Sequence, residues 1–162
     1  MAKQGTKKKG ALPDGAKVIL RYKRARFDYE LDDFYEAGLV LLGSEVKSLR
    51  NSAGSIQESY VQLKEGEVWL VGATNKEYAF ANRFNHAPTR DRKLLLNAGE
   101  IHKMIIRVEQ RGFTIVPTVL YLNKGRFKLQ IALGKGKKEF EKRQSKKSDD
   151  AKREIDRAMK RG

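Results

Sequence analysis

Between Phe27 and Leu133 the apolar residues recur mainly at every second position, the mark of strands with one buried face. Phe27, Tyr29 and Leu31 alternate with Asp28, Glu30 and Asp32, which predicts a strand. Glu36 to Leu42, EAGLVLL, is a second extended run, and Ser44 to Arg50 follows as a short helix with Ser44 as its cap. Ser59 to Lys64 and Glu67 to Gly72 flank Glu65-Gly66, a two-residue link with glycine in second place, which is a hairpin signal. A second hairpin is expected from Phe113 to Leu122 and Arg126 to Leu133, rich in Val, Ile, Thr and Tyr and joined through Asn123-Lys124-Gly125. Pro117 lies inside its first strand and has no N–H for a ladder, so that stretch should be an edge, a bulge or a break.

One strong helix interrupts the strands. Asn97 is the expected N-cap with Glu100 three residues later, and Ile101, Met104, Ile105 and Val108 follow at helical spacing until Gly112 closes the element. Several short strands at hairpin spacing with one or two helices predict a mainly β fold, a small closed or partly closed antiparallel barrel, of which the oligonucleotide-binding fold is one case.

Charge separates this body from its ends. The 162 residues carry a net charge of +15. Met1 to Arg26 holds nine basic residues and one acidic, Phe27 to Leu133 holds 14 and 13, and Gly134 to Gly162 holds 12 and six. A nearly neutral body with two cationic ends suits a polyanion such as nucleic acid, because arms follow a phosphate backbone while a compact core recognises shape. The organisation read from this is a basic flexible arm over 1–20, a barrel over 21–133 suited to a nucleic acid and a basic tail over 134–162. The tail has only Phe140, Ile155 and Met159 as large apolar groups, so alone it should be disordered. Its Asp149/Arg153 and Asp156/Lys160 pairs at i, i+4, and a face of Ala151, Ile155, Ala158 and Met159, fit a helix that forms against a partner surface.

The chemistry of an enzyme is hard to assemble from these residues. There is no cysteine, hence no disulfide, thiolate metal site or thiol nucleophile. His102 falls on the expected helix as a surface residue and His86 in a polar loop, and two distant histidines make no metal site. Gly134-Lys135-Gly136-Lys137-Lys138 lacks the third glycine and the βαβ context of a phosphate loop. Glu36, Glu45 and Glu58 leave open a nuclease holding Mg²⁺. A structural ribosomal protein threading its basic ends through rRNA is a further alternative. No stretch nears the ~18 apolar residues of a membrane span, and MAKQGTKKKG has no apolar stretch behind its charges. A soluble cytoplasmic protein, without a membrane partner, is expected.

Glu36 to Arg50, EAGLVLLGSEVKSLR, closely resembles the signature of SmpB, the SsrA-binding (tmRNA-binding) family of bacterial trans-translation. Further blocks match in the same order: KRARFDY at Lys23 to Tyr29, SYVQLKEGEVWLVGA at Ser59 to Ala73, PTRDRKLLLN at Pro88 to Asn97, GFTIVPTVLY at Gly112 to Tyr121 and GKGKKEFEKR at Gly134 to Arg143. The resemblance runs from Tyr22 to Arg161. Tyr22, Phe27 and Ala87 depart from the family's usual residues, and neither they nor the stretch 74–85 receive a role.

The resemblance implies an oligonucleotide-binding barrel with flanking helices, no catalytic activity, no cofactor or metal, a monomer, and rescue of ribosomes stalled on messages without a stop codon. It places Glu36, Leu95 and Lys128 on the tRNA-like domain of tmRNA, and Lys135, Gly136, Lys137, Lys138, Phe140, Lys142 and Arg143 in the decoding centre of the small ribosomal subunit, where the tail would lie in the empty message path. On the residues alone Lys128 is the one of the three that the chemistry favours, its alternative being a solvated strand residue; Leu95 in its Leu-Leu-Leu run also suits the core, and Glu36 also suits bracing the following Ala-Gly turn. Arg21, Lys23, Arg24 and Arg26 form a basic arm suited to phosphates, adding affinity and salt dependence rather than base reading.

Overall fold

Two tight turns organise the sheet. Glu65 and Gly66 both adopt positive φ (53° and 75°), as do Lys124 and Gly125 (50° and 75°), the geometry of two-residue hairpins whose twist matches that of their strands. The computed structural model describes residues 10–78, 85–137 and 139–161. In chain order its elements are β1 (Lys17–Arg21), α1 (Ala25–Asp28), β2 (Tyr29–Leu39), α2 (Gly43–Arg50), β3 (Gly54–Ser55), β4 (Tyr60–Lys64), β5 (Glu67–Val71), β6 (Thr74–Asn75), β7 (Arg92–Leu95), α3 (Ala98–Arg111), β8 (Thr114–Asn123), β9 (Arg126–Gly136) and α4 (Glu139–Arg161).

Every pairing among the described strands is antiparallel. The order β8-β4-β5-β7-β2-β9 returns to β8 through the β8–β9 hairpin, so the sheet runs round into a ring, with β1 added along the second half of β8. The expectation of a mainly β chain with helices at its flanks therefore holds. Inside the ring lie Ala37, Val68, Leu94, Leu129, Ile131 and Leu133, all buried, and α3 adds Met104 from the side of β8. That helix starts as its sequence signals demand, with the Glu100 carboxylate accepting the Asn97 N–H at 3.4 Å, and ends where Gly112 turns left-handed at φ 67°.

Three local readings are corrected. Phe27 is helical, in the four-residue α1, and the two extended runs seen in the sequence are one strand, β2. A bulge makes this possible. At Asp33, φ 40°, the β2–β9 register slips by one residue, so side chains on either side of it alternate out of phase. The cap of α2 is Leu42 rather than Ser44, its N–H bound by the Glu45 carboxylate at 2.9 Å. Pro117 sits next to a second bulge, where the β8–β9 register slips before Val119. The composition boundaries at 20/21 and 133/134 fall inside β1 and β9, so the sheet takes in part of each cationic end.

Candidate RNA interface

The strand alternation decides which side chains leave the ring. Ala37 and Leu129 are register partners and point inward, so Glu36, Gly38, Lys128 and Gln130, one residue away on either strand, share the outer face. Gly38 is paired with Lys128 on one side and with Leu95 of β7 on the other. Three residues distant in sequence thus meet: Glu36, Leu95 and Lys128 lie on adjacent strands of one face. Leu95 is 52% exposed and is no core residue. Glu36 braces no turn, since Ala37 and Gly38 continue β2. Lys128 Nζ lies 3.6 Å from Glu36 Oε1.

Two further residues, missed in the sequence, complete this patch. Tyr121, the register partner of Lys128, is buried, and burial together with the neighbouring Glu36 carboxylate holds its phenol well above the usual range, so it stays protonated beside Glu36. Gly38 is the floor. A Cβ there would meet Leu95 Cβ at 3.3 Å, and without it a cleft of about 320 Å³ opens between Leu39, Leu41, Val46, Leu95 and Phe127, with Arg126 and Lys128 on its rim. A glycine inside a strand is the signal that could have pointed to such a close approach. The Tyr121 pairing left no local trace.

The basic arm continues the same face. Arg21, Lys23 and Arg26 line a cleft of about 390 Å³ with Tyr22, Thr118, Val119 and Gln130, and Gln130 is the register partner of Glu36. Arg26 also stacks on Phe34, 5.5 Å to the ring centroid, while Arg24 covers Phe27 at 5.1 Å and points to Asp28 at 3.7 Å. A cationic cleft, the Glu36–Lys128 pair and an apolar cleft with a basic rim form one band, in which the cations suit phosphates and the apolar floor suits an unstacked base or sugar.

A buried ion network holds β7 in this position. Glu45 of α2 is fully buried and receives Arg90 and, at 2.6 Å, Arg92 Nε. Arg92, the first residue of β7, also donates to the carbonyls of Ala73 and Pro88. Burial alone would raise the Glu45 pKa, but the Leu42 N–H and the two guanidinium groups outweigh it and hold the carboxyl below its ordinary value. Of the three glutamates considered for Mg²⁺, Glu45 is therefore committed to arginines and Glu36 faces Lys128. His86, expected in a polar loop, is buried: Nε2 donates to the Asn75 carbonyl at 2.9 Å and Nδ1 meets Ser44 Oγ at 2.8 Å. His102 is exposed on α3 as expected.

The residues assigned to the tail separate into two groups. Lys135 and Gly136 belong to β9, opposite Glu30 and Tyr29, and Lys135 Nζ sits 4.8 Å from the Phe113 ring, which Arg107 also contacts at 4.3 Å. The Lys137 N–H is bound by the Asp28 carbonyl at 3.0 Å, and Lys142 Nζ lies 3.9 Å from Asp28 Oδ1. Lys138 and the side chain of Phe140 lie outside the described residues; the Phe140 backbone is helical. Arg143 is part of α4, whose Ile155 and Met159 are 56% and 76% exposed. Among the described residues no helix is long and apolar enough to cross a membrane.

The sequence profile of the SmpB protein family matches residues 19–161. The chain belongs to the SmpB family. The SsrA-binding protein of Bifidobacterium adolescentis is 51% identical over 150 residues, 92% of this chain and 94% of the relative. That of Rhizorhabdus wittichii is 51% identical over 144 residues, 88% of this chain and 90% of the relative. A chain from a solved structure described as "tmRNA-SmpB: a journey to the center of the bacterial ribosome" superposes with a TM-score of 0.61 at 39% identity, over 74% of this chain and 84% of that one.

Proposed function

We propose that this protein binds tmRNA through the outer band that runs from Arg21, Lys23 and Arg26 through Glu36 and Lys128 to Leu95, and brings it to stalled ribosomes in the cytoplasm. The observation that carries this is the convergence of Glu36, Leu95 and Lys128 on one face across β2, β7 and β9. Lys128 neutralises a phosphate; Glu36, beside Tyr121, accepts hydrogen bonds from base or ribose donors; Leu95 packs on an unstacked base or sugar. Arg24 adds a phosphate contact beside the band.

The tail forms the second half of the reading. Lys135 and Gly136 at the end of β9, then Lys137, Lys138, Phe140, Lys142 and Arg143, enter the decoding centre, where α4 lies in the empty message path. Protein and RNA together then stand in for a tRNA, and no codon is needed. A ring closed without α4, and a helix whose Ile155 and Met159 are exposed, support a division into RNA-binding body and ribosome-reading extension.

The test measures two quantities on full-length protein and on protein ending at Lys137: affinity for the isolated tRNA-like domain, and tagging of nascent chains on ribosomes stalled without a stop codon. The shortened protein should keep the first and lose the second. Equal loss of both refutes the division, and constant stoichiometry of the protein with mature ribosomes, independent of tmRNA, would favour a structural ribosomal protein.

A further inference from the structure

Leu31 and Glu36 stand an odd number of positions apart on β2, so in an unbroken strand they would face opposite sides. Both nevertheless belong to the outer band. Glu36 is the register partner of Gln130, and Leu31 lines the cationic cleft together with Gln130, Arg21 and Arg26. The slip at Asp33 reconciles them: Asp32 pairs with Leu133, Phe34 pairs with Ala132, and Asp33, φ 40°, is the extra residue between them. Before the bulge the odd-numbered side chains of β2 face outward, and after it the even-numbered ones do. The bulge thus decides which side chains make up the band.

This bulge is gripped from α3. The Asp33 N–H donates to Asp32 Oδ1 at 3.0 Å, the other oxygen of that carboxylate accepts Arg107 Nη2 at 3.1 Å, and Arg107 Nη1 donates to Asp33 Oδ2 at 2.8 Å. One planar fork therefore holds two consecutive carboxylates. The guanidinium lies in turn on the Phe113 ring, 4.3 Å to its centroid, and α3 is fixed to the body by the fully buried Met104. We propose that Arg107 is a positioning residue for RNA recognition, which holds the Asp32–Asp33 bulge in place so that the cationic cleft and Glu36 share one outer face. Without the cation the two neighbouring carboxylates repel, and a bulge that moves along β2 turns over every side chain it passes. This rests on the tmRNA-binding reading given above for its functional consequence, but not for the clamp itself.

The test uses the full-length protein with Arg107→Met, which keeps an unbranched side chain to lie on Phe113 but removes the charge, and with Arg107→Lys. Hydrogen exchange of the Asp33 amide should quicken about 5-fold in Arg107→Met, affinity for the isolated tRNA-like domain should fall about 5-fold, and Arg107→Lys should recover part of both. Glu36→Gln, which weakens binding in the otherwise unaltered protein, should lose most of its effect in the Arg107→Met background, because Glu36 is then already misplaced. An equal loss from Glu36→Gln in both backgrounds makes Arg107 merely structural and overturns the proposal. Unchanged exchange at Asp33 overturns the clamp, and quickened exchange with full affinity overturns its part in recognition. Should Arg107→Met fail to fold, Arg107→Gln carries the same three measurements. If Glu36→Gln leaves the affinity of the otherwise unaltered protein unchanged, the RNA-binding reading of Glu36 is wrong, while exchange at Asp33 still decides the clamp.

Discussion

Replacing Lys128 by Ala tests the proposed RNA-binding band at its centre. Lys128 is 30% exposed and faces Glu36, 46% exposed, at 3.6 Å, a half-wet pair worth up to about 1 kcal/mol in the free protein. In the proposed complex the ammonium gains a phosphate in a drier interface, so its loss should cost roughly 1 to 3 kcal/mol, or about 5- to 150-fold in Kd. The slope of log K against log salt should become shallower by about 0.7 to 0.9, one phosphate contact fewer. Because the substitution also leaves the Glu36 carboxylate facing RNA without its counter-charge, part of the loss belongs to Glu36. The Glu36→Gln variant should weaken binding by roughly 1 kcal/mol through lost acceptor strength. Combined with Lys128→Ala it should cost less than the sum of the single changes by at least about 0.5 kcal/mol. Titration of a fluorescent tRNA-like domain from about 50 to 200 mM salt measures all three. An unchanged slope and affinity for Lys128→Ala would place it on a bystander face, and strict additivity would dissolve the unit formed by Glu36 and Lys128.

Other outcomes follow from the same geometry. Glu45→Gln should destabilise the fold by about 3 to 5 kcal/mol, since it strips the counter-charge from the buried Arg92; a chemical-denaturation difference below about 1 kcal/mol would contradict that. Because the Glu45 pKa is depressed in the folded state, its stabilisation is complete above the ordinary carboxylate pKa and is lost as pH falls through the folded value, so acid unfolding of the wild type should be steeper than that of Glu45→Gln. Gly54→Ala drives a Cβ into the Thr74 carbonyl oxygen, and should cost roughly 1 to 3 kcal/mol by parting β3 from β6, visible in a thermal melt. Phe140→Ala should spare tmRNA affinity and slow tagging, with Tyr and His tolerated if the ring stacks on ribosomal RNA at ~1 to 3 kcal/mol; equal activity of Phe140→Leu and Phe140→Tyr would instead make it an apolar anchor.

What the chain alone determined are the features encoded within a few residues of one another. Glu65-Gly66 and Lys124-Gly125 can reverse the chain only through left-handed backbone, and Asn97, Glu100 and Gly112 delimit α3 because capping bonds reach no further than one turn. The charge of the ends was equally plain. The tertiary structure decided what depends on distant partners. Phe27 kept the right alternation for a strand but lies in α1, and the bulge at Asp33 appears only where β2 must stay in register with β9. Glu45 read only as one of three carboxylates open to Mg²⁺, and His86 as a residue of a polar loop, until Arg90, Arg92, Asn75 and Ser44 closed around them. Leu95 could not be told from a core leucine in its own strand. Its exposure, and its place beside Lys128 across Gly38, exist only because the ring sets β7, β2 and β9 side by side, and pleating sends those three positions outward together.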